Sequence, residues 1–308
     1  MFNTALIFPG QGSQYLGMCK DLVDSSSSSR FLFDKASEIF GIDLFSYCIK
    51  GSEEDLASTN IAQPVIFIHS MIIDGILKAN KVEIKAVAGH SLGEYSGLVS
   101  LGIISLDACL EILKIRCKQM QIANQKNKGG MLAVFHEDVN AIKEICKIFY
   151  KTVVANINSH NQIIISGPTD QIEKAIKLFK NNNIRKLIRL NVSGAFHSPL
   201  MEEANLSLNK VINSVNFNNT EIPIYQNVSP VKNFEGKKIK NNLLKQLTSS
   251  VLWYQTIINM KKDGINRIIE VGPKKVLSKL VQKIAPDIDI ISIDNIGDLE
   301  DNGFQIIR

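Results

Sequence analysis

A serine lies between two glycines in a stretch that reads AVAGHSLGEYSG, from residue 86 to residue 97. The small apolar residues before Gly89 are typical of a strand, and those after Gly93 are compatible with a helix. A strand that turns sharply into a helix at G-x-S-x-G lifts the serine hydroxyl above the sheet edge. Both glycines suit such a turn because a side chain at either position would collide with the adjoining backbone. Ser91 is therefore a candidate nucleophile, although the pattern alone also fits a tight structural turn.

A serine nucleophile needs a base, and the chain has five histidines. His197 lies in a tight loop between Phe196 and Pro199, just before a predicted helix. A histidine anchored in this way is a better candidate base than the others, the alternative being a residue that makes one local hydrogen bond. His69 lies inside an apolar run, where we expect a core histidine with its hydrogen bonds satisfied.

An arginine falls on the apolar face of a predicted helix. Ser105 can cap a helix that runs to about Gln121, and steps of 100° per residue place Arg116 within its apolar arc. A guanidinium directed at the interior is costly unless it meets an anion. We expect a buried carboxylate or a bound ligand at its head, the alternative being a head that reaches solvent at the helix end.

A glycine-rich loop follows the first predicted strand, which spans residues 5–8. The loop reads PGQGSQ from Pro9 to Gln14 and can expose several backbone N–H groups. Such a loop can cradle an anion, and it also fits a plain turn after a strand.

Between residues 129 and 191 the pattern of elements changes. Strand-like segments at 131–135, 152–157, 162–166 and 185–190 alternate with helical segments at 139–150 and 170–180. This βαββαβ order is that of a ferredoxin-like unit, small enough to be an insertion. We therefore predict an α/β protein in which residues 1–128 and 192–308 form a large domain and residues 129–191 form a small one.

Composition excludes several classes of protein. A net charge of +5, spread over 308 residues, lacks the basic stripe of a nucleic-acid binder. The five cysteines include no CxxC pair and no histidine spacing suited to a metal site. No apolar run is expected to reach transmembrane length, and residues 1–10 read as a strand and turn rather than a targeting peptide. We expect a protein that acts away from membranes, in the compartment where it is made.

Taken together, the ordered motifs resemble the malonyl-CoA:acyl carrier protein transacylases of fatty-acid synthesis, almost from end to end. Besides Arg116, the resemblance rests on FPGQGSQYLGM at 8–18, GHSLGEYSGL at 89–98, SGAFHSPLM at 193–201, QLTSSVLWYQT at 246–256 and EVGP at 270–273. The family implies an α/β-hydrolase-like large domain with an inserted ferredoxin-like small domain. Its active site lies in the cleft between the two domains.

The resemblance also implies roles for residues of the reaction centre. Ser91 corresponds to the acyl-accepting nucleophile and His197 to the base that takes its proton. Gln246 corresponds to the position that orients the histidine through a carbonyl oxygen. The backbone N–H groups of Gln11 and Leu92 correspond to the oxyanion hole.

Three further positions bear on the substrate. Arg116 corresponds to the residue that binds the free malonyl carboxylate by a two-pronged contact. Phe196 resembles the malonyl-type form of its loop and should leave little room for a 2-methyl branch. His90 corresponds to a neighbour of the serine with a secondary contribution.

The implied activity is a ping-pong transfer of malonyl from malonyl-CoA to acyl carrier protein, with no cofactor beyond the two substrates and no metal. We expect a soluble monomer, in the plastid stroma if the gene is plastid-encoded and otherwise in a bacterial cytoplasm. A serine esterase or thioesterase would share Ser91 and His197, but it should show an acidic triad partner and no inward arginine. A non-enzymatic docking protein would show no acyl adduct at Ser91.

Overall fold

The computed structural model describes residues 2–192 and 194–306. Ser193, the first residue of one motif, lies outside the described residues. The strands are β1 (Thr4–Phe8), β2 (Ala86–Gly89), β3 (Gly129–Val134), β4 (Val153–Ser159), β5 (Gln162–Pro168), β6 (Leu187–Arg189), β7 (Ile224–Gln226), β8 (Ser229–Asn233), β9 (Arg267–Val271) and β10 (Asp289–Ile293). The α-helices are α1 (Lys20–Ser25), α2 (Ser27–Phe40), α3 (Leu44–Lys50), α4 (Glu53–Ala57), α5 (Thr59–Ala79), α6 (Leu92–Ser100), α7 (Leu106–Lys126), α8 (Val139–Lys147), α9 (Thr169–Asn181), α10 (Glu202–Ser214), α11 (Gly236–Gln246), α12 (Trp253–Lys262), α13 (Val276–Ile284) and α14 (Ile296–Asp301).

The large domain is built on a six-stranded sheet in the order β10-β9-β1-β2-β7-β8. Neighbouring strands are parallel except for β8, which runs antiparallel to β7. Every residue of β1 and β2 is buried, as expected of central parallel strands whose two faces are both covered by helices. Because β1, β2 and β7 are adjacent and parallel, the loops at their carboxyl ends meet at one edge of the sheet.

The small domain is built on an antiparallel sheet in the order β4-β5-β3-β6, with α8 and α9. Its apolar core includes Val134, Ile163, Ile172 and Phe179. The predicted fold class, an α/β-hydrolase-like domain with an inserted ferredoxin-like domain, is confirmed. The exact boundaries, 128/129 and 191/192, remain a proposal.

The two domains are joined by a short parallel pairing between β4 and the segment after α11. Val251 N–H donates to Ala155 O at 2.8 Å, and Ile157 N–H donates to Val251 O at 2.9 Å. The hydroxyl of Ser250 adds a bond of 2.6 Å to Val154 O. The small domain is thus tied to the chain that leaves the end of α11.

Helix α5 is longer than the sequence pattern indicated. It spans 21 residues and, by length and composition alone, could cross a membrane, so the prediction that no apolar run reaches that length was wrong. In the structure 83% of its most apolar window is buried inside the protein. His69, in its middle, is fully buried and lies 3.1 Å from Asp294.

Candidate active site

Ser91 lies at the turn between β2 and α6 in a backbone conformation that side chains rarely adopt, with φ +52° and ψ −101°. A Cβ atom on Gly93 would overlap the carbonyl oxygen of Phe8, and one on Gly89 would overlap the backbone of Gly93. The close approach of β1, β2 and α6 therefore requires glycine on both sides of Ser91. The predicted strand–turn–helix around the serine is present.

Asn227, directly after β7, holds this strained turn. Its side-chain oxygen accepts the Ser91 N–H at 2.7 Å, and its side-chain nitrogen donates to Gly89 O at 2.6 Å. The buried carboxylate of Glu94 accepts from the Asn227 N–H at 2.8 Å and from the Gln226 side chain at 3.0 Å. Burial raises the pKa of Glu94, an effect that these hydrogen bonds partly oppose. No local sequence pattern predicted Asn227 or Glu94 as a supporting residue, although Glu94 stands within the serine motif.

His197 lies beside the serine hydroxyl in the loop before a 3-10 turn. Its Nε2 is 2.8 Å from Ser91 Oγ, and its Nδ1 is 3.0 Å from the main-chain oxygen of Gln246. A carbonyl oxygen can only accept, so Nδ1 carries the proton and Nε2 of the neutral ring is free to take one from Ser91. Burial lowers the pKa of His197 to about 3, with the positive charge of Arg116 adding to the effect. The imidazole is therefore neutral at physiological pH.

Gln246 contacts the histidine with its main chain and the serine turn with its side chain. Its main-chain oxygen faces His197, while its side-chain amide donates to Ser91 O at 3.0 Å. The residue ends α11 and is buried. One residue therefore positions the histidine and the backbone of the serine together.

Arg116 reaches the same hydroxyl from α7, which is capped by the Ser105 side chain as predicted and runs five residues beyond Gln121. Arg116 Nη2 donates to Ser91 Oγ at 3.0 Å, and Nη1 donates to the Gln63 side chain. The residue is 1% exposed, so the alternative in which its head reaches solvent is wrong. None of the ion pairs among the described residues involves it.

Two residues with candidate backbone donors, Gln11 and Leu92, line the cavity that contains Ser91. Leu92 begins α6, where N–H groups have no acceptor within the helix. Gln11 belongs to the glycine-rich loop, which packs so closely on the serine turn that a Cβ on Gly10 would lie 2.5 Å from His90 O. No hydrogen bond within the described residues uses the N–H of Gln11 or Leu92. Both residues line the same cavity as Ser91.

A cavity of about 240 Å³ between the two domains contains these groups. The large domain lines it with Ser91, Arg116 and His197, together with Phe196, which is buried beside the histidine. The small domain lines it with a mostly apolar wall that includes Met131, Ala133, Ile164, Asn156 and Asn158. Among the described residues no group of three or more His, Cys, Asp or Glu side chains is placed to hold a metal ion.

His90 connects the serine turn to the small domain. Its Nε2 lies 3.0 Å from the side-chain oxygen of Asn158 on β4, and its ring meets the edge of Trp253 at 5.6 Å between centroids. Burial lowers the pKa of His90. The residue thus serves the contact between domains, a placement that the sequence analysis did not foresee.

A serine turn with a histidine on a main-chain oxygen, a buried arginine and two spare N–H groups is suited to acyl transfer. The family described as the acyl transferase domain matches residues 5–303. The chain belongs to the malonyl CoA-acyl carrier protein transacylases within that class. It is 35% identical over 300 residues to the Synechocystis sp. (strain PCC 6803) enzyme, covering 97% of this chain and 98% of the relative. It is also 35% identical to the Bacillus subtilis enzyme over 299 residues, or 96% and 94% of the two chains.

Comparison with solved structures indicates the same family. A malonyl-CoA:acyl carrier protein transacylase from Xanthomonas oryzae superposes with a TM-score of 0.92 at 32% identity, over 98% of both chains. An acyl carrier protein S-malonyltransferase from Vibrio cholerae gives 0.92 at 33% identity, over 97% of this chain and 99% of the other. A type II polyketide malonyl-transacylase solved in complex with its acyl-carrier protein gives 0.92 at 30% identity, over 97% and 98%.

Proposed function

We propose that the protein transfers the malonyl group of malonyl-CoA to the phosphopantetheine thiol of acyl carrier protein through a malonyl ester on Ser91. The observation that carries the proposal is the meeting of two groups on one oxygen. Ser91 Oγ lies 2.8 Å from His197 Nε2 and 3.0 Å from Arg116 Nη2. A base and a cation placed so closely suit a short diacid, whose thioester and carboxylate ends lie only two bonds apart.

In the first half-reaction His197 takes the Ser91 proton while Oγ attacks the thioester carbonyl. The oxyanion that forms accepts from the N–H groups of Gln11 and Leu92. Each such donor contributes about 3 kcal/mol to lowering the barrier. The carbonyl re-forms as the carbon–sulfur bond breaks, and CoA leaves with the proton that His197 returns.

The second half-reaction runs through the same groups in reverse. The thiol of acyl carrier protein enters the cleft, gives its proton to His197 and attacks the malonyl ester. Ser91 Oγ leaves and recovers the proton, which restores the free enzyme. The names of the relatives and the complex of one of them with its carrier protein support this acceptor.

Arg116 selects the donor in this proposal. Its guanidinium is buried and has no carboxylate partner among the described residues, so a malonyl carboxylate supplies the missing countercharge. An acetyl donor leaves the cation unpaired, which costs about 2 kcal/mol relative to malonyl. Phe196 lines the cavity next to His197, which supports the proposal that it leaves little room for a 2-methyl branch.

The proposal includes no resident cofactor and a monomeric enzyme that works in the plastid stroma or the bacterial cytoplasm, according to where the gene resides. The bacterial and cyanobacterial relatives support a place of that kind. Light scattering coupled to size exclusion tests the monomer, and a mass of two chains would refute it.

Hydrolysis is the rival activity, and no contact of the site favours it. A serine esterase typically has a carboxylate on Nδ1 of its histidine, whereas His197 faces a main-chain oxygen. Intact-protein mass spectrometry after incubation with malonyl-CoA tests the proposal. We expect one malonyl group on the parent and none on Ser91→Ala, followed by its transfer to added holo-acyl carrier protein. Release only as malonate, or no adduct at all, would refute transfer.

A further inference from the structure

Gln63 is a buried amide in the first half of α5 that contacts both halves of the site. It is 1% exposed, although it carries four hydrogen-bonding positions. A buried amide of this kind is costly unless its positions are used. The hydrogen-bond partners of the Gln63 amide therefore indicate the role of this residue.

The two ends of the amide have different partners. The oxygen accepts from Arg116 Nη1 and lies 3.5 Å from the thiol of Cys117. The nitrogen lies 3.3 Å from the side-chain oxygen of Gln11 and 3.5 Å from Met120 Sδ. A guanidinium can only donate, so the amide oxygen, rather than the nitrogen, faces Arg116.

A neutral acceptor orients the arginine without neutralising it. A carboxylate in the same place would form a permanent ion pair with Arg116 and would repel a second carboxylate. Besides its bond to Ser91 Oγ, the guanidinium is held by the neutral Gln63 oxygen, while its buried Nε has no partner among the described residues. The positive charge therefore remains available to an incoming anion.

The same amide also supports the glycine-rich loop. Gln11 receives the Gln63 nitrogen on its side-chain oxygen, and its own nitrogen lies 3.4 Å from Thr59 Oγ1. The loop that carries the Gln11 N–H is therefore linked through one side chain to the cation of α7. Gln63 therefore couples the position of Arg116 to that of the glycine-rich loop.

We propose that Gln63 is a positioning residue for diacid selectivity, holding Arg116 aligned and cationic for the free carboxylate of the donor. This inference rests on the selecting role proposed for Arg116. It assigns to α5 a part in substrate choice that is separate from the bond-making groups.

The test compares Gln63→Glu with the apolar variant Gln63→Met, which is of similar length. The rate of Ser91 acylation is measured by intact mass with malonyl-CoA and with acetyl-CoA. For Gln63→Glu we expect kcat/KM for malonyl-CoA to fall about 100-fold and that for acetyl-CoA to change less than about 5-fold. For Gln63→Met we expect kcat/KM for malonyl-CoA to fall about 10-fold, and that for acetyl-CoA to fall less.

If Gln63 had a purely structural role, its substitution would lower kcat/KM for malonyl-CoA and for acetyl-CoA by the same factor. The ratio of the two kcat/KM values would then be unchanged. An unchanged ratio in Gln63→Glu, or in Gln63→Met if the first variant does not fold, overturns the inference. Labelling of Ser91 by an uncharged sulfonyl fluoride reports whether each variant is folded. Arg116→Ala is measured in parallel. If it leaves the donor ratio unchanged, the proposed role of Arg116 fails, and if it alone changes the ratio, only the role of Gln63 fails.

Discussion

At the scale of single residues, the candidate reactive groups of the site contact one oxygen atom, Ser91 Oγ. His197 and Arg116 both contact the hydroxyl of Ser91, and Leu92 follows the serine as the first residue of α6. In the free protein the Ser91 hydroxyl takes part in two hydrogen bonds. It donates to the neutral His197 ring, and its oxygen accepts from the Arg116 guanidinium. In the proposed mechanism, acylation of this oxygen releases Arg116 Nη2 to the substrate carboxylate.

Removal of the cation tests its selecting role. We expect Arg116→Ala to lower kcat/KM for malonyl-CoA by about 100-fold and to raise acetyl transfer relative to malonyl transfer, because a charged hydrogen bond is lost. Arg116→Lys keeps the charge but loses the two-pronged geometry of the guanidinium, so its kcat/KM for malonyl-CoA should lie between those of the parent and Arg116→Ala. Initial rates with both donors provide the measurement. Equal malonyl rates in Arg116→Ala and the parent would contradict the assignment.

The buried histidine predicts an unusual pH dependence. The pKa of His197 is lowered to about 3 from an ordinary value of 6.5. The rate of Ser91 acylation should therefore show no acid limb near pH 6.5, because the free base persists well below that pH. Single-turnover acylation between pH 5 and 8 measures this. A limb with its midpoint near 6.5 would contradict the burial argument.

The same shift affects the stability of the folded protein. Between about pH 6.5 and about pH 3 the unfolded chain binds a proton at His197 that the folded chain does not. This residue therefore makes the free energy of unfolding fall as the pH drops through that window, by up to about 1.4 kcal/mol per pH unit. Above pH 6.5 it adds no pH dependence.

At the scale of elements, the site depends on how closely β1, β2 and α6 approach. We expect Gly93→Ala to destabilise the protein by more than about 3 kcal/mol, because its Cβ would overlap the Phe8 carbonyl. Gly75→Ala provides a matched control in α5, where an added Cβ meets nothing within 4 Å. It should stabilise the protein by about 0.5–1 kcal/mol. Denaturant unfolding of both variants provides the comparison, and equal effects would refute the packing argument.

Patterns within one element were predicted from the residues themselves, whereas contacts between distant elements were predicted only where the family resemblance supplied them. The turn at Ser91 and the inward face of Arg116 follow from local glycine chemistry and helical periodicity, which a sequence displays directly. Asn227 and Gln63 act across 136 and 53 residues respectively, and no local pattern marks an asparagine or glutamine as a long-range partner. The contact between the main-chain oxygen of Gln246 and His197 was expected from the resemblance alone, because it depends on where α11 ends in space. The length of α5 was underestimated because polar residues interrupt its apolar run.

At the scale of the whole molecule, the two domains meet through apolar packing and through polar contacts around the cleft. One is the bond of 3.0 Å between His90 and Asn158, which lies beside the cavity but does not involve Ser91 Oγ. We expect Asn158→Ala to raise KM for malonyl-CoA about 3- to 10-fold with kcat less affected, because the wall of the cleft loosens while the reacting groups stay in place. The exposed Asn182 provides a control, for which Ala should leave both constants unchanged. A loss confined to kcat in Asn158→Ala would contradict this.

The pairing of β4 with residues 250–251 has a mechanical consequence. Only four residues separate Gln246, which supplies the acceptor for the histidine, from Val251, whose N–H and main-chain oxygen are both bonded to the small domain. We expect a rotation that widens the mouth of the cleft to pull on this tether, because the segment between the two bonded residues is short. Such a movement would draw the imidazole away from the serine, so that water entering an open cleft would meet the proposed acyl ester without an aligned base.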